Sequence, residues 1–442
     1  LVLKALKNEP TKRVPWVPFV GSHAAALLGM TASEYLKSEE AIVRGVGEAI
    51  KKFGADGIPV LFDLQLEAEV LGCELQWADQ NPPSVTGHPL AAKGSTLDDL
   101  SIPAPYKGRI ATVLAATKKI RKQHPDVALY GLITGPFTLA LHLLGTEIFM
   151  RMFDDAEKVH HLLNFCEQVG RAMADYYVDA GCDVIAVVDP MTSQIGPEQF
   201  REFVSPYVKR IFDEVRSLGS LSSFFVCGHA QQNLQPMCEC GPDNISVDEN
   251  IPLDMVRDIC RENGVSFGGN LQLTSILLLA KPEECEIHAL ECMDIGGHEG
   301  YILAPGCDLP FATPPENLQA IGKMVKDPYR QETVRALGKS DKAEELLDMS
   351  EYGGGADHIM IDVITLDSEA CTPCQYMVEA VKKVVPKFDG IVRWREHKIK
   401  KPEEIIFMSS LLGKNIPTIC IDGQITFVSR IPPAEELIAA IQ

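Results

Sequence analysis

The sequence predicts an α/β protein in two parts, a (β/α)8 TIM barrel over residues 1–325 and a small α/β domain over 356–442, joined by a linker at 326–355. Three observations carry this. Apolar strand-like runs alternate regularly with helix-like segments through the first part, the pattern of a sheet wrapped by helices. Runs such as GCDVIAVVDP have no wet face, as expected of parallel strands covered on both sides. No Gly-rich dinucleotide fingerprint follows the first strand, which disfavours an open doubly wound sheet.

Each element has its local reason. Residues 2–8 read as a short helix, and VPWVPFVG as an extended run whose prolines limit helix. Residues 31–53 have helical periodicity, and GADGIPVLFD ends a strand at Asp63. The turn-rich stretch 71–105 reads as an excursion carrying a hairpin. Helix 110–123, strand VALYGLITGPF with TGP marking its exit into another helix, one or two helices over 149–180, strand GCDVIAVVDP and helix 197–217 follow. Then come strand SSFFVCG, a helical run closed by Gly241, strand NISVDE, helix 253–263, strand SFGGNLQ, helix 282–295, strand YILAPGC and helix 316–325.

Residues 326–352 are charged and helical, and Gly353 to Gly355 break the pattern. Beyond them lie strand HIMIDVITLDS, a CTPC motif opening helix 375–385, strand IVRWREH, a helix near 403–412, the hairpin IPTICIDGQITFVS and a closing helix from Pro433. Asp422-Gly423 is the hairpin's turn signal. The order βαβαββα with CxxC before the first helix resembles the thioredoxin fold over 356–442. That resemblance implies that Cys371 is the attacking thiol, at a helix N-terminus that favours thiolate, and Cys374 the resolving one. It also implies that Pro417 is a cis-proline. Competing readings of the motif are half a zinc site and a docking module without redox chemistry.

A net charge of −20 makes nucleic acid an unexpected partner, since phosphate binding needs a basic surface. With 46% hydrophobic residues and mean hydropathy near zero, a soluble globular protein is expected. No apolar run reaches bilayer length and no leader precedes Leu1, so a cytoplasmic protein without membrane insertion is expected. The chain does not open on Met, which suggests a trimmed start. Thirteen cysteines, odd in number and without framework spacing, fit a reducing compartment.

In a barrel, reactive groups gather where strands end. Here the strand exits carry His23, Asp63, Thr134, Asp189, Cys227, Glu249, Asn270 and Cys307. His23, Asp189 and Asn270 are candidate substrate-binding groups. Asp189 before Pro190 reads equally as a turn cap, and His23 as a satisfied surface histidine. Two thiols and a carboxylate, Cys227, Cys307 and Glu249, make a ligand set of soft sulfur and hard oxygen that suits zinc, with His229 a further donor. Cys238 and Cys240 read better as the buried end of a helix.

FDLQLEAEVLGCEL, ITGPFTLALHLLG, AGCDVIAVVDP, NISVDE and LAPGCDLPFATPPEN together resemble the uroporphyrinogen decarboxylase superfamily. It implies the barrel and two chemistries, cofactor-free tetrapyrrole decarboxylation and zinc-dependent methyl transfer from methylcobalamin to a thiol. Asp63 matches the decarboxylases' catalytic aspartate, but FDxxxEAE resembles the methyltransferases as well. The arginine-rich segment of the decarboxylases is replaced here by VPFVGSHAAALLG, and their Gly-His-Gly by Gly306-Cys307-Asp308. The methyltransferase pattern His-x-Cys with a distant Cys matches Cys227 and Cys307, while Phe225 stands in the histidine's place. The resemblance therefore implies a methyltransferase with zinc, served by a corrinoid carrier protein and a small-molecule methyl acceptor. Thiol-disulfide chemistry linking the barrel cysteines to the CxxC is an alternative.

Overall fold

The computed structural model describes residues 1–337 except 93, and 359–365, 368–369, 371–398 and 416–442. It divides into two compact units, Leu1–Gly338 and Lys339–Gln442.

In the first unit seven strands among the described residues form one parallel sheet. They are β1 (Gly57–Pro59), β4 (Ala128–Thr134), β5 (Val184–Val188), β6 (Leu221–Val226), β7 (Asn244–Val247), β8 (Ser266–Leu271) and β9 (Tyr301–Pro305), each beside the next in that order. The expected excursion holds the antiparallel hairpin β2 (Glu74–Gln76) and β3 (Ser84–Gly87). The eighth stave is irregular. Val17 N–H donates to Leu303 O at 3.0 Å, Leu303 N–H to Pro15 O at 3.0 Å, and Asp56 N–H to Trp16 O at 2.9 Å. The stretch Pro15–Trp16–Val17 thus bridges β9 to the chain entering β1, giving a TIM-like arrangement. Pro15 and Pro18 have no N–H, so a full ladder cannot form there.

Alternation within the strands builds the interior. Ala128, Tyr130 and Leu132, Val184, Ala186 and Val188, and Ile302 and Ala304 share one buried cluster. Val2, Ala5 and Leu6 of the helix Val2–Leu6 join it, and a Cβ on Gly57, at the start of β1, would lie 3.2 Å from Val2 Cγ2. Phe19, Phe62 and Phe225 join the same cluster, with Cys227 and Cys307 packed against it.

Several expected helices are broken. The 31–53 segment is two helices, Ala32–Tyr35 and Glu39–Phe53, because Ser38 Oγ accepts from Ala41 N and starts the second. The 149–180 segment is Glu147–Asp154 and Ala156–Ala180, and 197–217 is Pro197–Phe203 and Ser205–Ser217, with Pro206 opening the latter. The helix expected where TGP leaves β4 is Pro136–Leu144. The helix Pro328–Leu337, expected as linker, is tied into the first unit: Arg330 Nε reaches Glu286 Oε1 at 3.1 Å and Arg335 Nε reaches Asp294 Oδ2 at 3.1 Å. The rest of the expected linker, 338–355, lies outside the described residues.

In the second unit β10 (Ile359–Thr365) pairs in parallel with β11 (Val392–Lys398) and antiparallel with β12 (Thr418–Ile421), which pairs antiparallel with β13 (Gln424–Val428). The helix Thr372–Val384 links β10 towards β11, and Ala434–Ile441 closes the chain. Asp422 and Gly423 have φ of 47° and 77°, the left-handed pair a two-residue hairpin turn requires. The expected helix near 403–412 lies outside the described residues.

Candidate active site at the strand exits

Cys227 follows β6 and Cys307 follows β9, and their Sγ atoms lie 2.8 Å apart across two intervening strands. Beneath them is an aromatic floor, with Phe225 5.2 Å from Phe19 and 6.0 Å from Phe62 between ring centroids. Phe225 points into that core and offers no donor. Burial and the Asp248 and Asp308 charges outweigh the Cys227 contact and push the Cys307 thiol up.

Glu249 joins them through glycine. A Cβ on Gly306 would sit 2.7 Å from Glu249 N and 3.3 Å from Glu249 Oε2, so only glycine lets the β9 exit pass this close to the β7 exit. Leu273 N–H donates to Glu249 Oε2 at 2.5 Å. Burial, then the neighbouring Asp248, pushes the Glu249 carboxyl up to about 8. His229 Nε2 is buried with no partner among the described residues, while Nδ1 lies 3.3 Å from Gln231 Nε2. Burial lowers its pKa. Asp248, which the sequence reading passed over, orders this rim. Its carboxylate accepts from Asn250 N at 2.9 Å and from Gly228 N, and its carbonyl accepts from Asn270 Nδ2 at 3.2 Å.

The other strand-exit residues are occupied in other ways. Asp63, with its side chain fully buried, accepts from Arg109 Nη1 at 2.6 Å and Gln65 N at 2.9 Å. Arg109 also reaches Glu69 at 2.6 Å and lies 4.9 Å from the Trp77 ring centroid. Asp189 is a helix cap: it accepts from Phe137 N at 3.1 Å, Thr138 N at 2.8 Å and Thr138 Oγ1 at 2.6 Å, and burial pushes its carboxyl up to about 6. Thr134 Oγ1 donates to Leu64 O at 2.8 Å and lies 2.8 Å from Glu67 Oε2. Asn270 donates to Ile251 O at 2.7 Å as well as to Asp248.

His23 is a correction to the surface reading. It opens the helix His23–Leu28, is 1% exposed, stacks on Phe53 at 5.8 Å and has Nδ1 3.1 Å from Phe311 O. Cys238 and Cys240 are buried, and Cys240 Sγ lies 3.1 Å from Pro236 O.

In the second unit Cys371 is the N-cap of the helix Thr372–Val384, Cys374 is buried, and the Ile416–Pro417 bond is cis. Asp362 on β10, fully buried, pairs with Arg395 and with His397 Nε2 at 2.8 Å, and these partners hold its carboxylate below the usual range against burial. None of the thirteen cysteines is in a disulfide.

Among the described residues no three His, Cys, Asp or Glu side chains converge on one metal position. In kind, the rim fits zinc: a pair of thiols in contact, a carboxylate behind Gly306, and a buried imidazole nitrogen left over. In number, the third donor is not yet in place. No described helix is long and apolar enough to cross a membrane.

Known proteins share this fold. The chain is 30% identical to methylcobamide:CoM methyltransferase MtbA of Methanosarcina acetivorans, over 73% of this chain and 96% of that one. It is 28% identical to a uroporphyrinogen decarboxylase of an Anaeromyxobacter species, over 72% and 96%. A solved methyltransferase from Methanosarcina mazei superposes with TM-score 0.68 at 26% identity, over 74% of this chain and 98% of that one. The profile of the uroporphyrinogen decarboxylase (URO-D) family matches residues 1–328, and the chain belongs to that family.

Proposed function

We propose that this protein is a corrinoid-linked methyltransferase that moves a methyl group from methylcobalamin, held on a separate carrier protein, to a small thiol. The observation that carries the reading is the meeting of Cys227 and Cys307 at 2.8 Å, together with the methylcobamide:CoM methyltransferases among its relatives. Cys227 and Cys307 would hold zinc, with Glu249 or His229 as the further donor. Bound there, zinc would supply Lewis acidity that lowers an acceptor thiol's pKa.

The chain's own groups do the rest. The aromatic floor of Phe19, Phe62 and Phe225 excludes water beneath the sulfurs. Asp248 holds the Gly228 backbone and so orients the loop carrying Cys227 and His229. Glu249, pushed up to about 8 by burial, holds its proton at neutral pH and keeps Oε2 on the Leu273 N–H. Asp63 is a candidate catalytic group, held in place by Arg109. His23, Asp189 and Asn270 serve as supports at the strand exits.

The second unit we read as thioredoxin-like, beginning near residue 356 after a linker, with Cys371 and Cys374 as its thiol pair. The sheet order β11-β10-β12-β13, the helix starting at the CxxC and the cis bond at Pro417 support this. A cytoplasmic location suits its thiol content.

The test is methyl transfer from methylcobalamin to a panel of thiols, with zinc measured by elemental analysis. Cys307→Ala should lose activity by about a hundredfold or more and lose stoichiometric zinc, with folding intact by circular dichroism. Full activity in that variant sinks the reading. The decarboxylase relatives and the buried Asp63 favour a second reading, tetrapyrrole decarboxylation. Porphyrinogen turnover by metal-free protein, abolished in Asp63→Asn, would establish it instead.

A further inference from the structure

The two sulfurs stand at an unusual separation. An S–S bond is about 2.05 Å long, and two thiolates on one tetrahedral zinc lie roughly 3.7 Å apart. Here the distance is 2.8 Å, so forming a bond requires an approach of only about 0.8 Å. The pair spans the mouth, because β7 and β8 lie between the strands that deliver the two cysteines. Below it lies the aromatic floor of Phe19, Phe62 and Phe225. No third metal-binding side chain among the described residues converges with them to hold the pair apart.

We propose that Cys227 and Cys307 form a reversible disulfide across the strand exits, made by a peroxide and reversed by a dithiol, which switches the site off. What is switched off rests on the methyltransferase reading; the chemistry of the pair does not. With hydrogen peroxide, one thiolate attacks the O–O bond, an S–O bond forms, and hydroxide leaves to become water. The second thiol then attacks that sulfur, the S–S bond forms, and the oxygen departs as a second water. Two thiols give up two electrons, and the peroxide is reduced to two waters. In the reverse direction dithiothreitol attacks the bond through a mixed disulfide and leaves as its own cyclic disulfide. The oxidised pair has no thiolate to offer a metal and straps the β6 exit to the β9 exit.

The experiment uses the full chain carrying Cys371→Ser and Cys374→Ser, so that the second unit's thiols cannot exchange. Protein treated with a slight excess of hydrogen peroxide is alkylated, digested and analysed by mass spectrometry. The expected result is a linked pair of peptides containing Cys227 and Cys307, lighter by two hydrogens and separated again by dithiothreitol. Zinc uptake, read by competition with a chromogenic chelator, should fall by about tenfold or more in the oxidised protein. In Cys307→Ser the reaction should stop at a sulfenic acid on Cys227, trapped by dimedone.

Continued alkylation of both cysteines after peroxide, or a linkage of either to a different cysteine, overturns the proposal. So does unchanged zinc uptake in the linked protein. A linked, reversible pair in a protein that transfers no methyl group when reduced upholds the switch chemistry and removes the methyltransferase reading instead.

Discussion

Arg109 shows how much of this site depends on a partner far away in sequence. It lies on the buried face of the helix Gly108–Gln123, with Ile110, Val113, Ala116 and Ile120, and meets Asp63, 46 residues earlier. A lone cation on an apolar stripe was the available signal, and helical periodicity alone passes over it. Arg109→Leu leaves the fully buried Asp63 carboxylate without its cation and should cost about 3–5 kcal/mol in urea unfolding of the first unit. An unchanged midpoint would show that the pair does not support the fold. The position of Cys227, Cys307 and Glu249 at neighbouring strand exits could be read from the sequence, because a thiol or carboxylate at the end of an apolar strand stands out. Asp248 was not, since an Asp beside Glu249 reads as one more polar residue at a strand end.

At the scale of elements, the strands were legible and the helix breaks were not. Continuous apolar runs identify β4 and β5, whose residues are all buried. The break at Ser38 is marked by a Ser before Glu39 and Glu40, a cap signal that helical periodicity alone passes over, and there Ala41 N–H donates to Ser38 Oγ. The helix Pro136–Leu144 is nine residues long and entirely buried, and Asp189 supplies its N-terminal acceptors from the next strand exit. Asp189→Ala should therefore destabilise the first unit by about 1–2 kcal/mol, measured by denaturant unfolding at pH 7.5. A Gly135 side chain would collide with the same carboxylate, 2.3 Å from Asp189 Cβ, which explains why the turn before the helix is glycine.

For the whole molecule, acid response is set by buried groups of both signs. Burial lowers His23 to about 4 from an ordinary 6.5 and lowers His142, with help from the nearby His88, to about 3. The unfolded chain takes up these protons below pH 6.5 and the folded one does not, so their contribution is lost as pH falls from 6.5 towards 4. Asp189 and Glu67, raised by burial to about 6 and about 7, act oppositely and lose stability as pH rises. The difference between wild type and His23→Gln isolates one term. That difference should move by about 3 kcal/mol in the variant's favour between pH 7.5 and pH 4. A pH-independent difference would mean that the imidazole becomes protonated in the folded state. In the sequence the pattern changes beyond Gly355, and the contacts group the chain into Leu1–Gly338 and Lys339–Gln442. The helix Pro328–Leu337 reads as a charged connector until Arg330 and Arg335 are seen paired with Glu286 and Asp294.

The helix Val2–Leu6 acts as a stopper. With Val2, Ala5 and Leu6 packed into the interior beside the start of β1, the end away from the two sulfurs is filled by side chains. On the methyltransferase reading, carrier and acceptor would then share the sulfur-lined end, and the acceptor would have to be in place before the carrier docks.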